Sequence, residues 1–355
     1  MNKQDVLMRM IAVSGELPAD MVGMVVGSES YAATVITRLK QEGYIAMRNK
    51  SGYKGYVLRM KGKRYMLQTY EADVGYFMQG AIETNHVKSE VEKRVRLHRM
   101  SKAWVFFEKM GISVFRSEKT SFEKRIGNRE GETAVYYGSL EFKSGVDSIK
   151  GSRACGVLLT GESVYIVYHT LQQRMKWAKK MERSMRSWIE KQRMRSGYIC
   201  TADAVIIGDT VEFVVELLES DGGTRKNLYQ VDDVYERYFY LPMCGCANIQ
   251  ILLLTDRTMR ESLRIFLSGI LHKVEEKEYA VNAGLDENGY PVYFCYELEL
   301  RNLIRVKQDM GWKQEGSILC LEYQRKALEK FFGEEVRYIE IASEKVMQYL
   351  QQEGQ

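Results

Sequence analysis

Apolar residues recur at helical spacing from the start of the chain. In "KQDVLMRMIAVSG", Val6, Leu7, Met10 and Ile11 share one face, and Gly15 closes the segment. "LPADMVGMVVG" predicts a second helix, with Pro18 at its start, Met21, Val22, Met24 and Val25 apolar, and Gly27 at its end. "SESYAATVITRLKQEGYI" predicts a third, capped by Ser28 or Ser30, burying Ala32, Val35, Ile36 and Leu39, and stopping at Gly43. The period then changes. "YIAMRNKSGYKGYVLRMKGKRYML" reads as strand, polar turn and strand, followed by a lysine-rich helix start.

Residues 69–82 show no clear period and are expected to connect domains. Residues 88–112 form a long amphipathic helix, with Val91, Val95, Leu97, Met100, Trp104, Val105, Phe106 and Met110 apolar and Gly111 ending it. "ETAVYYGSLEFKSG", "RACGVLLTG" and "SVYIVYHT" are strand-like, and Glu141 and Lys143 are expected on an exposed charged strand face. "QQRMKWAKKMERSMRSWIEKQRMRSGY" is a helix with Met175, Trp177, Met181, Met185, Trp188 and Ile189 on one side and Lys176, Lys179, Lys180, Arg183, Arg186, Lys191, Arg193 and Arg195 on the other. That basic side either faces phosphates, or is solvated or paired with acidic segments of the chain.

"TADAVIIGDTVEFVVELLES" reads as two short strands joined at Gly208 and Asp209, and "NIQILLLTDRTMRESLRIFLSGI" as strand then helix. "YPVYFCYELELRNLIRV" alternates like a strand, "SILCLEYQRKALEKFFGEEVRYIEI" reads as strand, helix, strand, and "ASEKVMQYLQQEG" as a last helix. Tyr290, Tyr293, Phe294 and Tyr296 are expected to pack in a core, because no basic residues interleave them as a base-stacking platform would need.

Composition narrows the class. The 355 residues allow two or three domains, and 45% hydrophobic with 28% charged residues suits globular protein. No run of eighteen apolar residues suggests a membrane span, and the start does not read as a signal peptide, so a cytoplasmic location is expected. Of the six cysteines only Cys244 and Cys246 are close, and C-x-C is not zinc spacing, so reduced thiols are expected. Charge is uneven. Residues 1–66 carry +6 and residues 172–196 carry +7, leaving −8 on the remainder. Two basic segments on an acidic body suggest a polyanion met locally.

Three helices followed by a two-stranded hairpin, "GYIAMRN" through "GYVLRMKGKRYML", resemble a winged helix-turn-helix. In that arrangement the third helix enters the major groove with Tyr31, Thr34, Thr37 and Arg38 outward. The wing tip, Arg48, Asn49, Lys50, Ser51, Tyr53 and Lys54, reaches phosphates or a minor groove. Such domains also serve as protein-docking modules, which is the alternative reading of this part.

The order strand, strand, helix, strand, helix around residue 201 onward resembles the core of the restriction-endonuclease-like fold. "HRMSKAWVFFEKMGI", "ADAVI", "FVVELLESDGGT" and "ILLLTDRTMRESL", the last with Arg260, together resemble the replication-relaxation family of plasmids and mobile elements, over most of residues 1–270. Ala202 stands where that family's strand has proline. The resemblance implies an α/β (α+β) chain: a winged helix over 1–68, a linker and long helix over 69–112, an endonuclease-like mixed-sheet domain over 113–271, and an α/β extension over 272–355.

In that fold two carboxylates, here Asp203 and Glu216, hold Mg²⁺, and a lysine two residues after the second orients the attacking water. That position is Leu218. Lys226, or Arg225, is the available replacement. The resulting expectation is a noncatalytic double-stranded DNA-binding protein acting in replication or conjugative transfer of a plasmid or integrative element, with no cofactor. Replication or transfer proteins of the element are its possible partners, and the oligomeric state stays open. The alternatives are a Mg²⁺-dependent deoxyribonuclease using Asp203, Glu216 and Lys226, and a transcriptional repressor that would dimerise on a palindrome.

Overall fold

The structure is a computed structural model, and it describes residues 2–86, 90–128, 133–195, 197, 200–223, 227–272, 281–313 and 315–353. The chain is mixed α and β and divides into two compact units. One comprises Met1–Gly161, Ile166–His169 and Ser187–Ile199, and the other comprises Glu162–Tyr165, Thr170–Arg186 and Cys200–Gln355. No described helix is long and apolar enough to cross a membrane.

The first unit opens with α1 (Lys3–Ser14), β1 (Leu17–Pro18), α2 (Val22–Val26), α3 (Glu29–Gln41), β2 (Ile45–Lys50) and β3 (Tyr53–Leu58). Asn2 caps α1 by accepting from the Gln4 N–H, and Gly15 ends it at φ 82°. Gly27, left-handed at φ 91°, ends α2, and Ser28 caps α3 by accepting from the Tyr31 N–H. Ala32, Val35, Ile36 and Leu39 are buried, as their spacing requires. Pro18 departs from expectation. It lies in β1, paired with Gly55 of β3, and the α-helix begins only at Val22. The three strands form an antiparallel sheet in the order β1-β3-β2.

α4 (Met60–Thr69) and α5 (Glu71–Val74) follow. The segment beyond residue 69 is not a loose connection. Arg9 pairs with Asp73 at 2.7 Å with both side chains buried, and Thr84 and Asn85 donate to the Ala12 carbonyl at 2.6 and 3.0 Å. α6 (Val91–Lys109) buries Trp104 edge-on against Phe77 and Tyr136. α7 (Phe122–Ile126), β4 (Val135–Gly138), α8 (Ser139–Lys143) and β5 (Gly156–Leu159) come next, with β4 antiparallel to β5. β6 (Val164–His169) neighbours β5, and α9 spans Lys179–Met194.

The "SLEFK" stretch is the helix α8, not a strand. Glu141 is buried, accepts from the Gly138 N–H and pairs with Lys119, while Lys143 donates to the carbonyls of Ser152 and Ala154. Satisfying both charges inside the protein is what allows them to leave water.

The second unit contains β7 (Ala202–Gly208), α10 (Phe213–Leu218), β8 (Tyr238–Pro242), α11 (Asn248–Thr255), α12 (Arg257–Gly269), β9 (Gly284–Leu285), β10 (Pro291–Phe294), α13 (Leu300–Lys313), β11 (Ser317–Leu321), α14 (Arg325–Phe332), β12 (Arg337–Ile341) and α15 (Ser343–Glu353). β7 and β8 are parallel. A four-stranded sheet of order β12-β11-β10-β9 is parallel across its first three strands and antiparallel at β9. Its core joins Val292, Tyr296, Leu319 and Leu321 to Leu253 of α11, Leu263 of α12 and Leu350 of α15. Tyr293 is likewise buried, whereas Tyr290 is exposed.

Two expected strands here are helices, and a third is shorter than expected. "VEFVVELLES" is α10, which buries Val214, Leu217 and Leu218 at helical spacing, and "NIQILLLT" is α11. The strand parallel to β7 is instead "YFYLP". "LRNLIRV" begins α13, so the strand in that stretch ends at Phe294. A short continuous apolar run has no period that separates a buried strand from a buried helix. Cys244 and Cys246 are joined as a disulfide, contrary to the expected free thiols, while Cys155, Cys295 and Cys320 are buried and free.

Candidate functional site

In α3 the buried positions leave Tyr31, Thr34, Thr37 and Arg38 exposed together along the other side. The Arg38 side chain is 62% exposed and pairs with Glu42 one turn later at 2.7 Å. An exposed i,i+4 pair is weak and easily exchanged, so this guanidinium is available to an external anion.

The β2–β3 hairpin turns through Ser51 and Gly52, both left-handed at φ 54° and 80°, with Lys50 opposite Tyr53. Such a two-residue turn matches the twist of the strands that it joins. Asn49, Lys50 and Lys54 are exposed, as expected. Arg48 is not. It is half-buried and its Nη1 lies 3.3 Å from Glu16 Oε2. Its expected place at a free tip therefore needs correcting: register puts it on the side of the hairpin that meets a buried carboxylate.

Glu16 is the centre of this part of the molecule. Its side chain is fully buried and receives Arg94 Nε at 3.1 Å, Arg48, and His98 Nε2 at 3.0 Å. Burial alone would raise the Glu16 carboxyl, but the hydrogen bonds from His98 and Arg94 and their charges outweigh it, lowering the value from 4.5 to about 2. Arg94, 1% exposed, also donates to the carbonyls of Lys50 at 3.0 Å and Tyr53 at 3.1 Å, the two residues that flank the turn. His98 stacks edge-on against the Tyr53 ring. One carboxylate thus fastens the hairpin to α6. The sequence reading missed this node. The available signal was Arg94 and His98 four residues apart, on the stripe of α6 otherwise filled by Val91, Leu97 and Ser101.

The second expected site is assembled differently. Asp203 begins β7, is nearly buried, and accepts from Arg237 Nη2 at 2.6 Å and Nε at 3.0 Å. Burial raises its carboxyl above 3.8, with Arg237 opposing. Glu216 is exposed on α10 rather than at the end of a strand. β7 carries the chain about 16 Å from Asp203 to Gly208 before α10 begins. Asp203 is taken by Arg237 and Glu216 faces solvent, so the pair does not fit a shared Mg²⁺ site. Among the described residues no group of three His, Cys, Asp or Glu side chains is placed to hold a metal. Leu218, where a lysine was sought, is buried. Lys226 and Arg225, its proposed replacements, lie outside the described residues.

Part of the basic face of α9 is engaged within the protein. Arg183 pairs with Asp233 at 2.6 Å, Arg186 donates to the Val234 carbonyl, and Arg193 is buried and donates to the carbonyls of Ile126 and Gly161. Of the two readings of that face, pairing with the chain's own acidic and carbonyl groups accounts for these three. Comparison of the chain with family models, curated proteins and solved structures gives no match.

Proposed function

We propose that the chain is a double-stranded DNA-binding protein, and that residues 2–58 act as a winged helix-turn-helix. The observation that carries this reading is a mixed element order, α1, β1, α2, α3, β2, β3 with sheet order β1-β3-β2, in which α3 and the hairpin keep polar and basic side chains outward. In this reading Tyr31, Thr34, Thr37 and Arg38 address base edges in the major groove. Asn49, Lys50 and Lys54 contact the backbone or a minor groove, and Arg48 instead supports the wing from within. The net +6 over residues 1–66 adds a salt-sensitive attraction to phosphates.

The role is noncatalytic, in replication or transfer of a plasmid or integrative element, with replication or transfer proteins as partners. The Arg237-bound Asp203 and the exposed Glu216 support binding without cleavage. The test is one gel in which supercoiled plasmid is incubated with the protein and Mg²⁺ or Mn²⁺, beside Asp203→Ala. A shifted band with intact DNA is expected, weakened by about 1–3 kcal/mol in Arg38→Ala where base contacts are lost. Nicking that Asp203→Ala abolishes would replace this reading with the nuclease. No shift at low salt would remove the DNA reading altogether.

A further inference from the structure

Arg96 and Arg99 lie three residues apart on α6 and so leave the helix on neighbouring positions of one face. Arg96 is exposed. Arg99 is half-buried, and its Nε is sealed from solvent with no hydrogen-bond partner among the described residues. Neither makes an ion pair or hydrogen bond with any described residue. Other cations of the same helix are engaged: Lys93 by Glu90, Arg94 by Glu16 and Lys102 by Asp20.

The surroundings add positive charge to the pair. The surrounding protein pushes both guanidinium values down; Cys155 opposes this, and the like charge of Arg153 adds to it. Arg99, Lys143 and Arg96 all lie within electrostatic reach of the buried Cys155 thiol. His169 is buried beside them and held well below its ordinary value of 6.5 by burial, Lys102 and Arg99, so it is neutral there. Arg99 is also within electrostatic reach of Tyr53, whose ring packs on His98, so the cluster borders the β2–β3 hairpin.

Arginine does not lose its proton in a protein, so the charge of the half-buried Arg99 is carried at a cost. A cation or a neutral ligand would leave that cost unrelieved. A tetrahedral oxyanion, accepting from the fork of one guanidinium and the charge of the next, would offset it.

We propose that Arg96 and Arg99 form a phosphate-binding site, filled in the DNA complex by a backbone phosphodiester beside the wing. The occupant named here rests on the DNA-binding reading, whereas the anion site itself rests on the cluster.

Two arms separate the sources of the phosphate. In the first, fluorescence anisotropy on a short duplex across a salt series compares the wild type with Arg96→Gln/Arg99→Gln. A Lys326→Gln/Lys330→Gln control loses the same charge at exposed positions of α14. The arginine variant is expected to lower the slope of log K against log salt by about 1–2, with the control unchanged. A wild type that binds duplex with an equal slope in the arginine variant overturns the proposal and leaves the DNA reading standing.

In the second arm, ³¹P line broadening of inorganic phosphate is followed as protein is added. If duplex is not bound at all, the DNA reading fails. Saturable broadening lost in the arginine variant then supports the site with a free phosphate or small phosphorylated ligand, and equal broadening in both proteins, or none, overturns it. Should the double variant unfold, Arg96→Gln alone, at an exposed position, carries both arms with about half the change in slope.

Discussion

Glu16 and Arg94 stand 78 positions apart in sequence and meet as a buried ion pair, with side-chain exposures of 0% and 1%. The same guanidinium binds the carbonyls on either side of the hairpin turn. The position of the exposed hairpin residues therefore depends on a charge that no solvent reaches.

The pH dependence of that charge has a definite sign. The folded Glu16 carboxyl is held at about 2 against an ordinary 4.5, so its contribution is complete above pH 4.5 and is lost as pH falls toward 2. Its size is roughly 3 kcal/mol. Glu16→Gln leaves Arg94 without a counter-charge and should cost about 3–5 kcal/mol at neutral pH. Denaturant unfolding of both proteins should show the gap closing between pH 4.5 and 2. A gap independent of pH would show that the carboxylate is not the source.

Gly55 faces Glu16 so closely that an added Cβ would lie 2.6 Å from Glu16 Oε1 and 3.0 Å from the Leu17 carbonyl. The carboxylate cannot move aside without leaving Arg94. Gly55→Ala should therefore destabilise by about 1–3 kcal/mol, a cost ordinarily reserved for overpacked cores. Gly52→Ala, with nothing within 4 Å of its Cβ position but a left-handed φ of 80°, should cost less, about 1 kcal/mol. Thermal unfolding of the two variants side by side checks the order.

Arg94→Met keeps an unbranched stem and removes the fork that holds the turn. Amide hydrogen exchange at Lys50 and Tyr53, whose carbonyls Arg94 holds, should accelerate more than exchange at Val35 or Leu39 in α3. Equal acceleration in both places would mean general destabilisation and no specific hold on the hairpin.

Asp203 behaves in the opposite sense to Glu16. Burial raises its folded value above 3.8, so the folded state favours the proton, and its contribution is present below pH 3.8 and lost as pH rises through the raised value. Asp203→Asn removes the buried charge and keeps an acceptor for Arg237, which is 46% exposed and reaches water. At neutral pH the substitution should change stability by about 1 kcal/mol or less. Wild type should gain on the variant as pH is lowered. A large loss at neutral pH would make the ion pair a stronger element than its geometry suggests.

The cysteines differ in reach. Alkylation of the native protein without reductant should modify Cys200, which is half-buried, and spare Cys155, Cys295 and Cys320, whose thiols burial pushes up, to about 12 at Cys320. Cys244 and Cys246 should react only after reduction, as peptide mass spectrometry would show. Labelling of that pair beforehand would contradict the disulfide.

Most of residues 2–58, though not β1 with Pro18 in it, was legible because its signals are local. Helical spacing, the cap at Ser28, and the stops at Gly15 and Gly27 act within a few residues of the positions they govern. The switch to alternation in the hairpin is equally local. So are the exposed faces of α3 and the turn, which follow from which positions are buried. The strand–helix–strand of β11, α14 and β12 was readable for the same reason.

Tertiary structure decided what depends on distant partners. "NIQILLLT" and "VEFVVELL" are apolar enough to be either element, and packing in the second unit made them helices. By alternation Glu141 and Lys143 belong on an exposed charged face, but a lysine 22 positions away from Glu141 and two carbonyls draw them inside. Asp203 was recognisable as a candidate carboxylate, but only the fold brought Arg237 onto it and left Glu216 in solvent. Spacing describes how a segment can bury its own face. A charge is stabilised in the interior by whatever the fold brings to it, and no local pattern encodes that partner.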